Sequence, residues 1–236
     1  GPSTVDPTAQ RFSYDAENRL VEVLSPQEAT VSVTFQPGWN FFSLPVLPED
    51  GAVVVLLPTF ATDFAQVAKF EPATNSFQHY VGNPKFDDFT SLEYGVGYQV
   101  YSKAAAPVTI AFTGKLPSQR LSTSLAVGWH LLPAITEDTP LPLASWLSGV
   151  SYGQVKKLEP AIGTLADATQ AEKGQAYWVQ VTATSTWSPP LPADPTTRFL
   201  YDGDGGRVKQ TTAAGTTTFL GESVEIGPDG TLTKYV

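Results

Sequence analysis

The chain has 236 residues, of which 42% are hydrophobic and 16% are charged, so it can form one large or two small domains with a buried core. Its formal net charge of -9 disfavours binding to nucleic acid or to anionic membranes, because both partners require basic patches. The sequence has no cysteine, which excludes disulfides and cysteine-based metal sites, and no apolar run approaches the roughly 20 residues that span a membrane.

The first part of the chain predicts a small hairpin. The opening Gly1-Pro2-Ser3 is typical of a tag remnant on an excised piece of a longer protein, and no signal peptide is recognisable. Beyond it, Arg11–Val23 predicts two short strands around a turn. Asp15 and Asn18 supply the turn chemistry, and Leu20 begins an apolar strand.

The middle of the chain, from about 29 to 190, contains two copies of one module. Three blocks of sequence recur in the same order, which is difficult to obtain by chance. The matched blocks are Gly38–Pro45 with Gly128–Pro133, Gln66–Ala73 with Gln154–Ala161, and Tyr98–Val100 with Tyr177–Val179. The sequence therefore predicts four segments: 4–27, a first copy at 28–118, a second copy at 119–190, and 191–236.

Both copies predict mainly strands, with one short helical piece each. The helical pieces are expected at Val53–Leu57 and at Ala144–Ser148. Runs rich in β-branched and aromatic residues predict the strands. These strands are Val31–Phe35, Val67–Phe70, Gly97–Tyr101, Val108–Phe112, Gln154–Leu158 and Ala176–Val181.

The last region, from about Thr197 onward, repeats the pattern of the first. Arg198–Lys209 again predicts a strand, a turn and a strand. Glycine-containing turns, among them Pro228-Asp229-Gly230, then separate further short strands. These strands are Thr216–Leu220, Ser223–Ile226 and Thr231–Tyr235, which together predict a β-meander.

The two ends of the chain carry a family resemblance. Tyr14–Leu20 and Tyr201–Val208 resemble the YD repeats of the Rhs family of bacterial surface and secreted proteins. Gly215–Gly221 and Gly230–Tyr235 resemble the segment that continues such a repeat array. The resemblance implies a strip of a β-sheet shell that encloses a toxin or other cargo, a secreted or cell-surface location, and the rest of the parent Rhs-type protein as a partner. The duplicated middle region departs from the family pattern.

The expected fold class is mainly β. A short antiparallel YD-repeat sheet is formed by both chain ends and carries the inserted pair of tandem β-rich pseudo-repeats. Because the insert leaves and re-enters one sheet, Arg11–Val23 should lie beside Arg198–Thr211.

The sequence predicts neither an enzyme nor a cofactor or metal site. His79 and His130 occupy unmatched positions without metal-ligand spacing. Asp202–Gly205 faintly resembles the start of a calcium loop but lacks the later acidic ligands, so a plain turn is favoured. Adjacent acids could in principle serve glycoside hydrolysis, although solvated turns are their more common role. Such acids are Glu49/Asp50, Asp87/Asp88 and Glu137/Asp138.

All five tryptophans lie in the middle region, where an exposed indole could stack on the apolar face of a sugar. Trp39 and Trp129 share one repeat position inside apolar runs, which favours a core anchor over a ligand platform. Trp178 replaces Gln99 of the first copy and Trp187 has no twin, so both are predicted to be exposed. The candidate ligand-binding residues are Trp178, Trp187 and Trp146.

These observations predict a non-enzymatic binding or structural module, monomeric as a fragment, whose ligand is a glycan or a protein. The alternatives are a purely architectural spacer of the shell wall and a hydrolase that acts on polysaccharide. A covalent Lys–Asn crosslink between strands is a further hypothesis, which an intact mass equal to the sequence mass would exclude. The side chains considered for it are Lys69, Lys156, Lys157 and Asn40.

Overall fold

A computed structural model of the protein describes residues 10–118, 120–136, 139–160, 163–191, 196–212, 214–221 and 223–235. In these residues the chain is mainly β with antiparallel strands, so the predicted fold class is confirmed. The chain divides into two compact units. The terminal unit has its described residues within Gly1–Gln27, Leu116–Gln119 and Ala193–Val236, and the insert unit has them within Glu28–Lys115 and Arg120–Pro192.

The strands and helices follow one another along the described chain without any long helix. The first are β1 (Arg11–Tyr14), β2 (Leu20–Leu24), β3 (Gln27–Phe35), β4 (Gly38–Ser43), α1 (Val53–Leu56), α2 (Phe60–Asp63), β5 (Phe64–Glu71), β6 (Ser76–Tyr80), β7 (Gly97–Ser102) and β8 (Val108–Leu116). The next are β9 (Thr123–Leu125), β10 (Gly128–Pro133), β11 (Leu141–Pro142), α3 (Leu143–Trp146), β12 (Tyr152–Glu159), β13 (Thr164–Asp167), β14 (Gln170–Ala171), β15 (Ala176–Val181) and β16 (Ser185–Trp187). The last are β17 (Thr196–Tyr201), β18 (Arg207–Thr212), β19 (Gly215–Phe219), β20 (Val224–Ile226) and β21 (Leu232–Lys234).

The predicted strands and helical pieces of the middle region are all observed, and α2 and β6 are among the further elements that were not predicted. The sequence of β6, Ser76–Tyr80, is short and half polar. It becomes a strand because it pairs with β5 across a tight turn, with Phe70 opposite Phe77. Each of the three helices has only four residues, and none in the described part of the chain could cross a lipid bilayer.

The terminal unit contains one seven-stranded antiparallel sheet in the order β1-β2-β17-β18-β19-β20-β21. The two chain ends meet where β2 pairs with β17, with Leu24 opposite Thr196 and Glu22 opposite Arg198. An ion pair of 3.2 Å joins the Arg198 Nε to the Glu22 Oε2 across this seam. The expected pairing of the two ends is therefore observed, and the insert occupies the place of a hairpin loop between β2 and β17.

The insert unit repeats one sheet architecture. Its two four-stranded sheets have the orders β4-β7-β5-β6 and β10-β15-β12-β13, which are the same order in the two copies. The first and last strands of each copy also pair, β3 with β8 and β9 with β16. The matched Tyr98 and Tyr177 are both buried, and each hydroxyl oxygen accepts a backbone N–H bond. Burial raises the pKa of Tyr177 to about 12, so its hydroxyl stays neutral.

Each copy has its own hydrophobic core, and a small third cluster joins them. Phe35 lies in the first core with its ring 5.2 Å from that of Phe42, and both are buried. The second core is built around tryptophan, tyrosine and branched aliphatic side chains. Between the two sheets, Phe41, Leu131 and Ala176 form the third buried cluster. The copies are therefore packed against each other and present a junction between them.

Candidate functional site

Two of the three predicted ligand-binding tryptophans are buried in the core of the second copy. Trp146 is 0% exposed and Trp187 is 1% exposed. The indole Nε1 of Trp187 donates to the Trp146 backbone oxygen at 2.9 Å, and that of Trp146 donates to the Pro133 oxygen at 3.3 Å. Because both N–H groups have backbone partners, both rings can leave water without an unpaired donor. The predicted exposure of Trp187 is therefore wrong, and neither ring offers a face to a ligand.

Trp178, the third predicted ligand-binding residue, lies on β15 and is partly exposed. Its ring centroid is 4.9 Å from that of Phe70, 6.1 Å from that of Phe77 and 6.4 Å from that of Trp129. All three contacts are edge-to-face, the geometry that aromatic quadrupoles favour. Two of these rings come from the first copy, so Trp178 lies at the junction of the copies.

The matched tryptophans Trp39 and Trp129 are each 37% exposed, so their favoured interpretation as core anchors is wrong. Each precedes a buried polar residue, Asn40 in one copy and His130 in the other. Side chains alternate between the two faces of a strand, so the tryptophans point away from the core of their own copy. The apolar runs were misleading because β4 and β10 are buried on both faces in their later residues.

Five side chains line an aromatic groove at this junction, and we use that name for them: Phe70, Asn75, Trp129, Leu165 and Trp178. The groove has a volume of about 300 Å³. Asn75 occupies the turn between β5 and β6 with φ of 50°, a left-handed conformation that asparagine tolerates. Leu165 is 52% exposed on the second copy. The groove thus combines apolar walls with one amide, a composition common in small-molecule sites.

A second cavity of about 500 Å³ adjoins the aromatic groove and shares Phe70, Asn75 and Trp129 with it. It adds polar side chains, among them Glu71 and Thr123. Among the described residues that line either cavity, Glu71 is the single Asp, Glu, Lys or Arg. The combined site therefore has few charged side chains, and its described lining includes no Lys or Arg to attract an anion.

Neither histidine lies in a metal-ligand cluster. The His79 Nδ1 is 2.6 Å from the Gln66 Nε2, which can only donate, so the imidazole accepts there. His130 is 6% exposed, and its Nε2 donates to the Ala126 oxygen at 2.8 Å. In the part of the chain that the structure describes, no group of three His, Asp or Glu side chains could hold a metal ion.

The acidic pairs considered for hydrolysis serve loop backbones. The Asp50 carboxylate accepts the Ala52 N–H at 2.8 Å just before α1. Asp87 and Asp88 accept the N–H groups of Val81 and His79 at 2.7 and 2.8 Å. These carboxylates therefore hold the ends of loops by accepting backbone N–H bonds. This is a turn role, which the sequence favoured over hydrolysis. The third pair, Glu137/Asp138, lies outside the described residues.

The segment considered for calcium, Asp202–Gly205, is a hairpin turn between β17 and β18. The Asp202 Oδ1 accepts the backbone N–H of Asp204 at 3.1 Å and that of Gly206 at 2.7 Å. This carboxylate therefore accepts hydrogen bonds from the backbone of its own turn, as expected for a plain turn without calcium.

The three lysines considered for a crosslink lie against carboxylates. The Asn40 amide bonds both the N–H and the carbonyl of Gln36 at 2.8 Å, so it holds the turn before β4. The ion pairs of the lysines are Lys69–Glu93 at 3.2 Å, Lys156–Asp167 at 2.7 Å and Lys157–Glu159 at 2.7 Å.

Sequence reasoning missed the residues that the first copy contributes to the groove. Phe70 and Phe77 are cross-strand partners on β5 and β6, with ring centroids 5.2 Å apart. Their matched positions in the second copy are Leu158 and Leu165, which face each other across β12 and β13. The one sequence signal that could have indicated these groove residues is a pair of apolar residues on either side of a turn, which occurs in both copies. Its meaning depends on the packing of one copy against the other, which no local pattern contains.

No protein-family model matches this chain, and neither a curated protein nor a solved structure is detectably similar to it.

Proposed function

We propose that this chain is a non-enzymatic carbohydrate-binding module and that the aromatic groove is its sugar site. The observation that carries the proposal is the meeting of Trp129, Trp178 and Phe70 around one open groove at the junction of the copies. A pyranose ring has an apolar face that packs on an indole and hydroxyls at its rim. The Asn75 amide at the edge of the groove can both donate and accept bonds from such hydroxyls.

The size and charge of the site favour a neutral sugar. The groove volume of about 300 Å³ is at the lower end of known ligand sites, which run from about 300 to 1,000 Å³. A protein with net charge -9 and no Lys or Arg among the described lining residues disfavours acidic glycans. Neutral hexoses and their N-acetyl derivatives therefore fit this site better than uronic acids.

The terminal sheet supports a second part of the proposal, that the module is displayed on a YD-repeat scaffold of a bacterial surface or secreted protein. Two turns with the expected Tyr-Asp start, at Asp15 and at Asp202, use the same hydrogen bonds. The insert leaves this sheet after β2 and returns at β17. Loops and modules on a rigid β scaffold commonly carry binding, which is consistent with display to the outside.

Two alternatives have weaker support. The edge-to-face ring contacts of Trp178 would also stabilise a purely architectural spacer, although a spacer does not require an open groove. A polysaccharide hydrolase would need two carboxylates facing one cleft. Glu71 is the single carboxylate among the described residues lining the two cavities.

A glycan array with the intact protein tests the proposal. We expect binding to neutral glycans, and Leu165→Glu should lower the affinity at least tenfold because it places a charge in an apolar groove. Leu165 is 52% exposed, so this variant should fold. Trp129→Ala should weaken binding by a similar factor through the loss of the stacking surface.

The matched control is Phe86→Ala, which removes an aromatic side chain that is 68% exposed outside the groove. It should leave glycan binding unchanged. If the folded protein binds no glycan on the array, or if Leu165→Glu binds as well as the parent, the carbohydrate proposal is wrong. Binding to a protein partner that Leu165→Glu abolishes would instead assign the groove to protein recognition.

A further inference from the structure

The face of the first copy that carries Trp39 is an aromatic and polar surface that continues from the groove. Trp39 and Tyr101 are register partners on β4 and β7, and each is 37% exposed. Their ring centroids are 5.1 Å apart in an edge-to-face contact. This pair is on the same face of the sheet as Phe70 and Phe77, because all four occupy alternate positions of neighbouring strands.

A row of side chains connects the ring pair to the groove. Gln66 is the register partner of Tyr101 on β5, and its amide reaches the His79 imidazole on β6 at 2.6 Å. The His79 ring centroid is 6.3 Å from that of Phe77, which in turn touches Trp178 at the groove. We call this row, formed by Trp39, Tyr101, Gln66, His79 and Phe77, the sheet track. It crosses all four strands, a width of about 14 Å at the usual strand spacing.

The chemistry of the sheet track alternates between stacking and hydrogen bonding. Because the Gln66 Nε2 lies 2.6 Å from the His79 Nδ1, the amide oxygen and the imidazole Nε2 are left for further hydrogen bonds. Gln99 lies two residues before Tyr101 on β7, on the same face, and adds a half-buried amide. Donors and acceptors thus lie between two aromatic platforms, as the hydroxyls and ring faces of a sugar chain require.

The sheet track is also uncharged. The residues that β4, β5, β6 and β7 place on this face include no Lys, Arg, Asp or Glu. Lys69 and Glu71 alternate onto the opposite face of β5. A charged polymer would lose hydration here without gaining an ion pair, whereas a neutral polyol exchanges water for amide and imidazole partners.

We infer that the aromatic groove and the sheet track form one extended site for a neutral oligosaccharide chain, with the chain running from Trp178 to the Trp39–Tyr101 pair. The inference rests on the proposed function and names its ligand more closely, as several linked neutral units and not a single terminal sugar. It assigns Trp39 and Tyr101 to the far end of the site.

Calorimetric titration of the intact protein against chain length tests the inference. The probes are cello-oligosaccharides, chito-oligosaccharides and the neutral glycan with the strongest array signal, each from disaccharide to hexasaccharide, with oligogalacturonate as the acidic comparison. We expect affinity to rise with length for the neutral series and to be lower for oligogalacturonate. Tyr101→Ala and Trp39→Ala should each weaken hexasaccharide binding about tenfold and leave disaccharide binding unchanged, because a disaccharide occupies only the groove.

Gln66→Ala keeps both rings in place, so it tests the track even if a ring variant fails to fold, and it should also lower hexasaccharide affinity selectively. Leu165→Glu should weaken both lengths. If Leu165→Glu abolishes binding while the three track variants bind the hexasaccharide like the parent, the extended site is wrong and the groove proposal stands. If no probe and no array glycan binds, the proposed function and this inference both fall.

Discussion

At the scale of single residues, Gly97 lies at a close approach of the two copies. A Cβ added there would lie 2.5 Å from the Leu131 carbonyl oxygen, a distance that real Cβ atoms do not adopt. The matched residue in the second copy is Ala176, which packs with Phe41 in the third buried cluster between the two sheets. The junction is therefore asymmetric, because one side accepts a methyl group and the other accepts none.

Gly97→Ala should lower the free energy of unfolding by about 1–3 kcal/mol, the usual cost of overpacking a close contact. Denaturant unfolding followed by far-ultraviolet circular dichroism, which reports on the strands of both units, measures this change. The control is Gly203→Ala, since a Cβ at Gly203 meets nothing within 4 Å and should alter stability little. Equal stability of the two variants would contradict the close approach of β7 to β10.

The hairpin turns show at the scale of elements how a short motif sets local structure. In the β1–β2 turn the Asp15 N–H donates to the Arg19 oxygen at 3.0 Å, and Asn18 has φ of 60°. In the β17–β18 turn the Asp202 N–H donates to the Gly206 oxygen at 2.9 Å. Its left-handed position is a glycine, with φ of 86° at residue 205. The two turns therefore share one backbone pathway.

The Asp15 carboxylate belongs to this pathway. The backbone N–H of Arg19 that it accepts is the largest cause of its pKa lying below the ordinary 3.8. Because folding lowers this pKa, the charged carboxylate stabilises the turn at pH values above the ordinary pKa of 3.8. The turn loses this stabilisation as the pH falls through the lowered pKa of the folded state. The charged carboxylate is therefore the form that holds the turn.

Asp202→Ala should destabilise the terminal sheet by roughly 1 kcal/mol, because two backbone N–H groups lose a charged acceptor and regain only water. Hydrogen exchange of the amides of β17 and β18 measures the loss at the sheet itself. Asp204→Ala, two residues further in the same turn, is the matched control and should exchange like the parent. Protection unchanged in Asp202→Ala would show that the carboxylate does not stabilise the turn.

At the scale of the whole molecule, the two units differ in how they can be stable. In the strands of the terminal sheet, Thr196 is the single buried residue among those that the structure describes. The insert unit instead contains fully buried rings such as Phe42, Trp146 and Tyr98. Since apolar burial is the main favourable contribution to folding, the insert unit holds most of the hydrophobic stabilisation.

Residues 28–191 expressed alone should therefore fold with a single cooperative thermal transition. The complementary chain, with an Asn-Gly turn joining Leu24 to Thr196, should give at most a broad transition, because its sheet lacks a core of its own. Far-ultraviolet circular dichroism follows the thermal transition of both chains, and the near-ultraviolet signal of the buried tryptophans adds a probe of tertiary packing in the insert. An insert that is unfolded by itself would contradict the assignment of stability to that unit.

The sequence determined the local structure and the chain organisation, for physical reasons that act over a few residues. Asp15 with Asn18, and Asp202 with Gly205, predicted turns because their side chains or their φ freedom select that backbone. Runs rich in β-branched and aromatic residues predicted the strands. The matched blocks predicted the paired copies and, with the similar ends, the meeting of β2 and β17.

Only the tertiary structure decided which aromatic rings are exposed. Trp187 is buried because its N–H reaches the Trp146 carbonyl across the second core. Trp129 is exposed because the face of β10 that carries it lies at the edge of the third buried cluster. Burial of a strand face depends on what covers it, and the covering residues, such as Phe70, are distant in sequence. The strands could therefore be predicted from local pattern, whereas the groove required the packing of one copy against the other.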